Sequence, residues 1–180
     1  MLEGKLVNLR AAETEDLPLI ADWFNNLEVL GEYEDVFQFS KSEFERSFEA
    51  DDRHERKRFV IEKKDGTKIG TITHFYVLRP SGLRLLEIGF NVCPDERGKG
   101  YGTEAVNIMV DYLFLSKDTL RIEAGTNVKN LAAQKVLENA GFKREGTMRK
   151  STFIRGEWTD DHLYSILREE WREPRILTKR

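Results

Sequence analysis

The sequence predicts an α/β (α+β) fold, a mixed and mostly antiparallel central sheet of about seven strands flanked by about four helices. Three observations lead there. Residues 58–77 read as a hairpin that runs on into a third strand, the stretch 99–116 carries apolar side chains at helical spacing, and the chain after it alternates strand, helix and strand. The first implies antiparallel neighbours and the last some parallel pairing.

Strand-like Lys5 to Arg10 opens the chain. Thr14 and Asp16 offer helix caps ahead of Leu17, Ile20, Ala21, Phe24 and Leu27, which share one face of a first amphipathic helix. Ser40 followed three residues later by Glu43 is a capping box, and Phe44 and Phe48 lie one turn apart on the helix it starts. The mixed-charge run Asp51 to Arg58 reads as solvated helix end and loop rather than as a ligand patch. Arg58 to Lys63, the turn Asp65-Gly66 and Lys68 to Val77 make the hairpin, and Pro80-Ser81-Gly82 leads to a strand from Arg84 to Val92. Ala105, Ile108, Met109 and Tyr112, widened by Val106, Val110 and Leu113, mark a mostly buried helix from about Lys99 to Ser116. Thr119 to Ala124 is the next strand, Asn130 to Ala140 a helix stopped by Gly141, and Phe142 to Met148 a further strand. After a turn at Arg155-Gly156-Glu157 the alternating stretch His162 to Leu167 closes the sheet, and Arg172 to Arg180 is predicted to fray.

The 180 residues suit one domain over 1–180 better than two. With 39% hydrophobic and 34% charged residues the chain has the balance of a folded domain, and no apolar run approaches a membrane span. The N-terminus enters strand-like sequence without the layout of a signal peptide, so a cytoplasmic location is expected, with no membrane partner. A net charge of −3 gives no global attraction to nucleic acid, and none is expected as a partner. Cys93 has no disulfide partner, no Cys/His cluster has metal-ligand spacing, and a packing role for this thiol outweighs a nucleophilic one.

The segment that carries chemistry is a strand, Leu85 to Val92, followed by Cys93-Pro94-Asp95-Glu96 and then Arg97-Gly98-Lys99-Gly100-Tyr101-Gly102-Thr103 running into a helix. Glycines in such a turn let several N–H groups converge, the helix start adds unpaired donors and a positive dipole end, and Arg97 and Lys99 add full charges. A diphosphate ligand is the natural inference. The nucleotide P-loop and the Rossmann fingerprint both require other glycine spacings and a parallel βαβ setting, whereas this strand follows antiparallel ones. The competing reading is an ordinary glycine turn that starts a helix.

Arg97-Gly98-Lys99-Gly100-Tyr101-Gly102 matches the Arg/Gln-x-x-Gly-x-Gly/Ala signature of the GNAT superfamily of acyl-CoA-dependent N-acetyltransferases. Asn130-Leu131-Ala132-Ala133, Val136-Leu137-Glu138 and Gly141-Phe142 resemble that superfamily's second CoA-contacting helix and the strand after it. The tail, from Gly156 through Asp160-Asp161 to Tyr164-Ser165-Ile166-Leu167 and Glu170-Trp171, resembles the group that acetylates ribosomal-protein N-terminal alanine or serine. The resemblance implies a GNAT-like sheet splayed between the strands of residues 84–92 and 119–124, with acetyl-CoA as cofactor and CoA as product. It assigns the pantetheine amides to backbone groups of Phe90, Asn91 and Val92, and the pyrophosphate to Arg97, Gly98, Lys99, Gly100, Tyr101, Gly102 and Thr103. Asn130 and Ala133 complete the cofactor side, although Asn130 is equally a helix N-cap. Related proteins often form dimers, so a homodimer is a possible assembly.

Where many relatives carry Ser or Tyr near the thiolate, this chain has Ala133 and Leu137. A side-chain general acid is thus absent at both positions, which leaves water or Tyr164 to protonate the leaving thiolate. Amines are largely protonated near pH 7, so a base must act before attack. Glu87 is the first candidate: Leu86, Ile88, Phe90 and Val92 form one face of the strand and Glu87 the other, with a structural ion pair as its alternative role. His74 on the neighbouring strand is the second, set against the commoner structural role of a lone strand histidine. The implied acceptor is an amine, on a protein N-terminus or a small molecule, met by the region from Trp23 through Tyr33, by the Phe37 to Phe39 loop and by Asp161, unless the aromatics among these are simply core. A non-catalytic acyl-CoA-binding module is the alternative from another class; release of free CoA thiol separates the two.

Overall fold

The computed structural model describes residues 1–49, 55–78, 82 and 84–177. The start of the Asp51 to Arg58 run, Pro80 and Ser81, and residues 178–180 lie outside them. The chain forms β1 (Leu2–Glu3), β2 (Val7–Ala11), α1 (Leu17–Asn25), α2 (Leu27–Leu30), α3 (Lys41–Glu49), β3 (Lys57–Lys63), β4 (Lys68–Leu78), β5 (Arg84–Val92), α4 (Tyr101–Ser116), β6 (Arg121–Asn127), α5 (Leu131–Asn139), β7 (Lys143–Ile154) and β8 (Glu157–Leu167). One sheet holds all eight strands in the order β1-β2-β3-β4-β5-β6-β8-β7. Every pairing is antiparallel except β5 with β6. The sequence predicted about seven strands and four helices; the additions are two-residue β1 and one-turn α2, both too short to show a period.

The sheet's two faces bury different clusters. Leu86, Ile88 and Val92 of β5, Ile72 of β4, and Ile122 and Ala124 of β6 pack on Ala105, Val106, Ile108 and Met109 of α4 and on Leu137 of α5. Each fully buried aliphatic side chain here contributes roughly 1.5–3 kcal/mol. The opposite face is covered on one side only, where Leu17, Ile20 and Ala21 of α1 and Phe44 of α3 meet Val60 of β3. The capping box at α3 forms as predicted: Ser40 N–H donates to Glu43 at 2.9 Å and Glu43 N–H to Ser40 Oγ at 3.3 Å. Asp16 caps no helix N–H of α1; its carboxylate binds Arg10 at 2.8 Å and Lys68 at 2.6 Å, tying β2 and β4 to the start of α1. Among the described residues no helix is long and apolar enough to cross a membrane, and no cluster of His, Cys, Asp and Glu could hold a metal ion.

Two polar anchors hold the ends of the chain on α4. Glu104 in its first turn accepts main-chain N–H groups of Lys5, Leu6 and Val7 at 3.0, 2.6 and 2.7 Å. Asp111, fully buried, accepts from Trp171 Nε1 at 2.8 Å and from the main-chain N–H groups of Arg175, Ile176 and Leu177 at 3.1, 2.7 and 3.0 Å. The sequence predicts that Arg172 to Arg180 frays. Through Leu177 it is docked instead, because a buried carboxylate collects its N–H groups and Ile176 and Leu177 pack on the core.

Candidate active site

The site begins where two strands part. β5 and β6 pair only at Leu86 with Ile122 and Glu87 with Glu123; beyond these, β5 stays with β4 and β6 with β8, which opens a cleft between Ile88–Val92 and Ala124–Asn127. Glycine at position 70 permits the close approach of β4 at this end of β5, since a Cβ there would lie 2.1 Å from the Asn91 carbonyl oxygen.

Both connections that follow the parting strands start helices at the cleft. Gly98 (φ 75°) and Gly100 (φ 86°) adopt left-handed conformations that bend the chain from β5 into α4, and no side chain caps that helix. Its first N–H groups therefore remain for a ligand, with the positive end of a 16-residue helix behind them. α5 starts beside it, with Asn130 Oδ1 accepting from Ala133 N–H at 3.1 Å. Asn130 is thus a helix cap, and its amide N–H groups remain available to the cleft.

A strap, Leu30–Glu34, closes the other side. Arg97 donates from Nε to the Val92 carbonyl at 2.8 Å and from Nη2 to the Val29 carbonyl at 2.5 Å, so this guanidinium joins the end of β5 to α2. Arg155, at the tip of the β7–β8 hairpin, donates to the Gly31 carbonyl at 2.7 Å. Between strap, turn and α5 lies a cavity of about 630 Å³. Phe90, Asn91, Val92, Glu96, Arg97, Gly98, Gly100, Gly102 and Thr103 form one wall, Asn130, Ala132, Ala133, Lys135, Val136 and Asn139 of the α5 region a second, and the strap the third.

The cavity is electrostatically mixed. Its wall carries the N–H groups of the helix starts, Arg97 and Lys135, together with the acids Glu96 of the turn and Glu32 and Glu34 of the strap. Solvent reaches Glu34 through the open cavity, yet the protein around it holds its carboxyl above the usual range, with the charges of Asp35 and Asp161 adding to the effect. Tyr33 is raised by its hydrogen bond with Glu32.

Residues 7–143 match the acetyltransferase (GNAT) domain family. The chain belongs to the GNAT acetyltransferase family. It is 34% identical to the probable N-acetyltransferase YjcK of Bacillus subtilis, over 93% of this chain and 97% of that one. Among solved structures it is similar to the spermidine N-acetyltransferase of Vibrio cholerae in complex with CoA and spermine, with TM-score 0.82 and 26% identity over 93% of this chain and 99% of that one. It is also similar to the ribosomal-protein-S5-alanine acetyltransferase of Vibrio fischeri, with TM-score 0.79 and 26% identity over 95% and 98%. The protein is an acetyl-CoA-dependent N-acetyltransferase with the GNAT fold.

On this GNAT frame the residues singled out by sequence divide. Phe90, Asn91, Val92, Arg97, Gly98, Gly100, Gly102, Thr103, Asn130 and Ala133 all line the cavity, as does Tyr33. Lys99 and Tyr101 do not: Lys99 is paired with Glu96 at 2.9 Å, and Tyr101 packs against the core. His74 is 2% exposed among Phe59 and Tyr112, and among the described residues neither ring nitrogen has a hydrogen-bond partner; burial, then Lys117 and Lys57, lower its pKa to about 4. Tyr164 is fully buried, donates to Glu138 at 3.0 Å and is raised by burial and by that bond. Glu87 lies at the apex of the splay, opposite Glu123, on the face away from α4. None of these three lines the cavity.

On the acceptor side, Trp23 lines a separate hollow of about 20 Å³ beside Phe24 and Asn91. Phe37 stacks on Phe39 at 5.5 Å in the aromatic cluster under α3. Asp161 accepts from Ser151 at 3.0 Å and from Thr152. Sequence reasoning gave no role to Glu34, Lys135 and Asn139 or to Glu96 as a wall residue, whereas Leu30 to Tyr33 fall in the region it names for the acceptor and Ala132 and Val136 in the motif it quotes for α5. For α5 the signal was present, because Ala132, Lys135, Val136 and Asn139 follow one helix face at spacings of three and four. For Glu34 there was none.

Proposed function

We propose that this N-acetyltransferase transfers the acetyl group of acetyl-CoA to a primary amine, either a protein N-terminal amine of the ribosomal-protein type or a small amine such as a polyamine, by direct attack in a ternary complex. The observation that carries the reading is the cavity at the parting of β5 and β6, where an uncapped glycine turn and two helix starts converge. Those donors suit a diphosphate, and an open strand edge suits the amides of a pantetheine arm. In this reading backbone groups of Phe90–Val92 hold the arm, N–H groups of residues 98–103 hold the diphosphate, and Asn130 reaches the arm from α5. Acetyl-CoA supplies an acyl group activated as a thioester.

Arg97 acts mainly as scaffold here, since two of its donors hold main-chain carbonyls. Tyr33 and Asp161 face the acceptor. The acidic strap favours an acceptor that arrives as a cation, and the two solved relatives act, by their names, on spermidine and on a ribosomal-protein alanine. The test is release of free CoA thiol with alanyl and seryl peptides, polyamines, amino acids and aminoglycosides, beside a titration of acetyl-CoA binding. Turnover is expected with a cationic primary amine; tight acetyl-CoA binding with no thiol release on any acceptor would refute the reading.

A further inference from the structure

Two titratable groups, Glu87 and His74, are candidates by sequence for deprotonating the acceptor, and neither lines the cavity. One carboxylate does so without a partner of its own. Glu34 stands in the cavity wall, and among the described residues it has no ion pair or hydrogen bond from its side chain. The other acid of the wall with a defined geometry, Glu96, is taken up by Lys63 at 3.1 Å and Lys99 at 2.9 Å. Glu34 is also held in place. The main chain just before it is pinned from two sides, by Arg97 at Val29 and by Arg155 at Gly31.

Glu34 is solvent-exposed in the wall of the open cavity, and an acidic side chain there without a cation of its own attracts a ligand that brings one. It also favours taking up a proton, which is what an ammonium must lose before it can attack. We propose that Glu34 receives the ammonium group of the acceptor and takes its proton. An N–H bond breaks, an O–H bond forms on the carboxyl, and the nitrogen keeps the electron pair with which it attacks. The nitrogen sheds two protons in all: the first passes through Glu34 to solvent, and the second leaves with the product thiol. This rests on the acetyl-transfer reading above and adds to it that the acceptor binds as a cation and that the base comes from the strap rather than from β5.

The titratable and charged groups that share the cavity wall with Glu34 are Glu32 and Tyr33 of the strap, Glu96 and Arg97 of the turn and Lys135 of α5, and the charges of Asp35, next in the chain, and Asp161 of β8 act on it. Of these, Asp35 and Asp161 act to keep its proton affinity high.

Glu34→Gln, with Glu87→Gln as comparator, tests the assignment by two independent readouts. In calorimetry with CoA present and spermidine or an alanyl peptide as titrant, Glu34→Gln should weaken amine binding about tenfold or more while acetyl-CoA affinity stays within about twofold. In the thiol assay kcat/KM should fall about a hundredfold or more, and the residual rate should climb with pH toward the acceptor's own pKa, where neutral amine is supplied by solvent. Wild-type amine affinity and turnover in Glu34→Gln, or loss of the pH-dependent rate in Glu87→Gln alone, would overturn the proposal. Should the unaltered enzyme bind acetyl-CoA but acetylate nothing, the acetyl-transfer reading fails, whereas the amine titration still decides Glu34: equal affinities in the two proteins reject it.

Discussion

His74 illustrates how burial decides what a titratable residue does. Its ring lies 6.2 Å from that of Phe59 and 6.1 Å from that of Tyr112, with no polar partner for either nitrogen among the described residues, so the charged form is disfavoured and the pKa drops from 6.5 to about 4. The unfolded chain takes up this proton first. Stability from the site is therefore complete above pH 6.5 and falls as pH drops toward 4, by about 2 kcal/mol at pH 5. Urea unfolding at pH 7.5 and pH 5 should show that loss in the wild type and not in His74→Leu; equal losses in both would assign acid sensitivity to other groups. Asp16 contributes below this window. Arg10, first among its partners, holds its carboxyl well below the usual range, so its stabilisation persists above pH 3.8 and is lost as pH falls further. Burial pushes the thiol of half-buried Cys93 up.

Among the elements, α4 does two jobs with opposite ends. Its start faces the cleft with free N–H groups, and its middle anchors the tail through Asp111. Arg168 then closes its far end, donating to the carbonyls of Phe114, Lys117 and Thr119 at 3.0, 2.6 and 2.7 Å, where a cation also meets the negative end of the helix. Asp111→Asn replaces an acceptor oxygen by a donor amide facing N–H groups, which should cost about 3 kcal/mol in urea unfolding and speed tryptic cleavage after Arg172 and Arg175. An unchanged midpoint with unchanged cleavage would mean the tail docks through Trp171 and the aliphatics alone. The apolar stripe of α4 was plain in the sequence, whereas Asp111 and Glu104 read there as ordinary polar positions of a helix. Their partners lie at least 60 residues away.

At the scale of the molecule, the two halves of the site are joined by arginines that cross the cavity's roof. Arg97 links the cofactor turn to α2, and Arg155 links the β7–β8 hairpin to the strap, 124 residues away in sequence. Arg155→Ala should release one side of the strap that carries Glu34. An increase in KM for the amine of up to about tenfold is expected, with acetyl-CoA affinity and melting temperature nearly unchanged; the opposite pattern would place Arg155 on the cofactor side.

The sequence by itself determined the order of the longer strands and helices and a glycine turn suited to a diphosphate, because these depend on short-range quantities: side-chain period, glycine's freedom and unpaired N–H groups at a helix start. The acyl-CoA class followed from the resemblance of that turn and the α5 motif to a known family. It also marked Ala133 and Leu137 as lacking the hydroxyl that many relatives place there. Tertiary structure alone decided which titratable residues meet the cavity. His74, Tyr164 and Glu87 were plausible on their strands, but the sheet buries the first two and sets the third at the apex of the splay. Glu34 sits in a loop without periodicity, and only the placing of the strap against the turn and the β7–β8 hairpin, fixed by two distant arginines, brings this residue into the cavity wall.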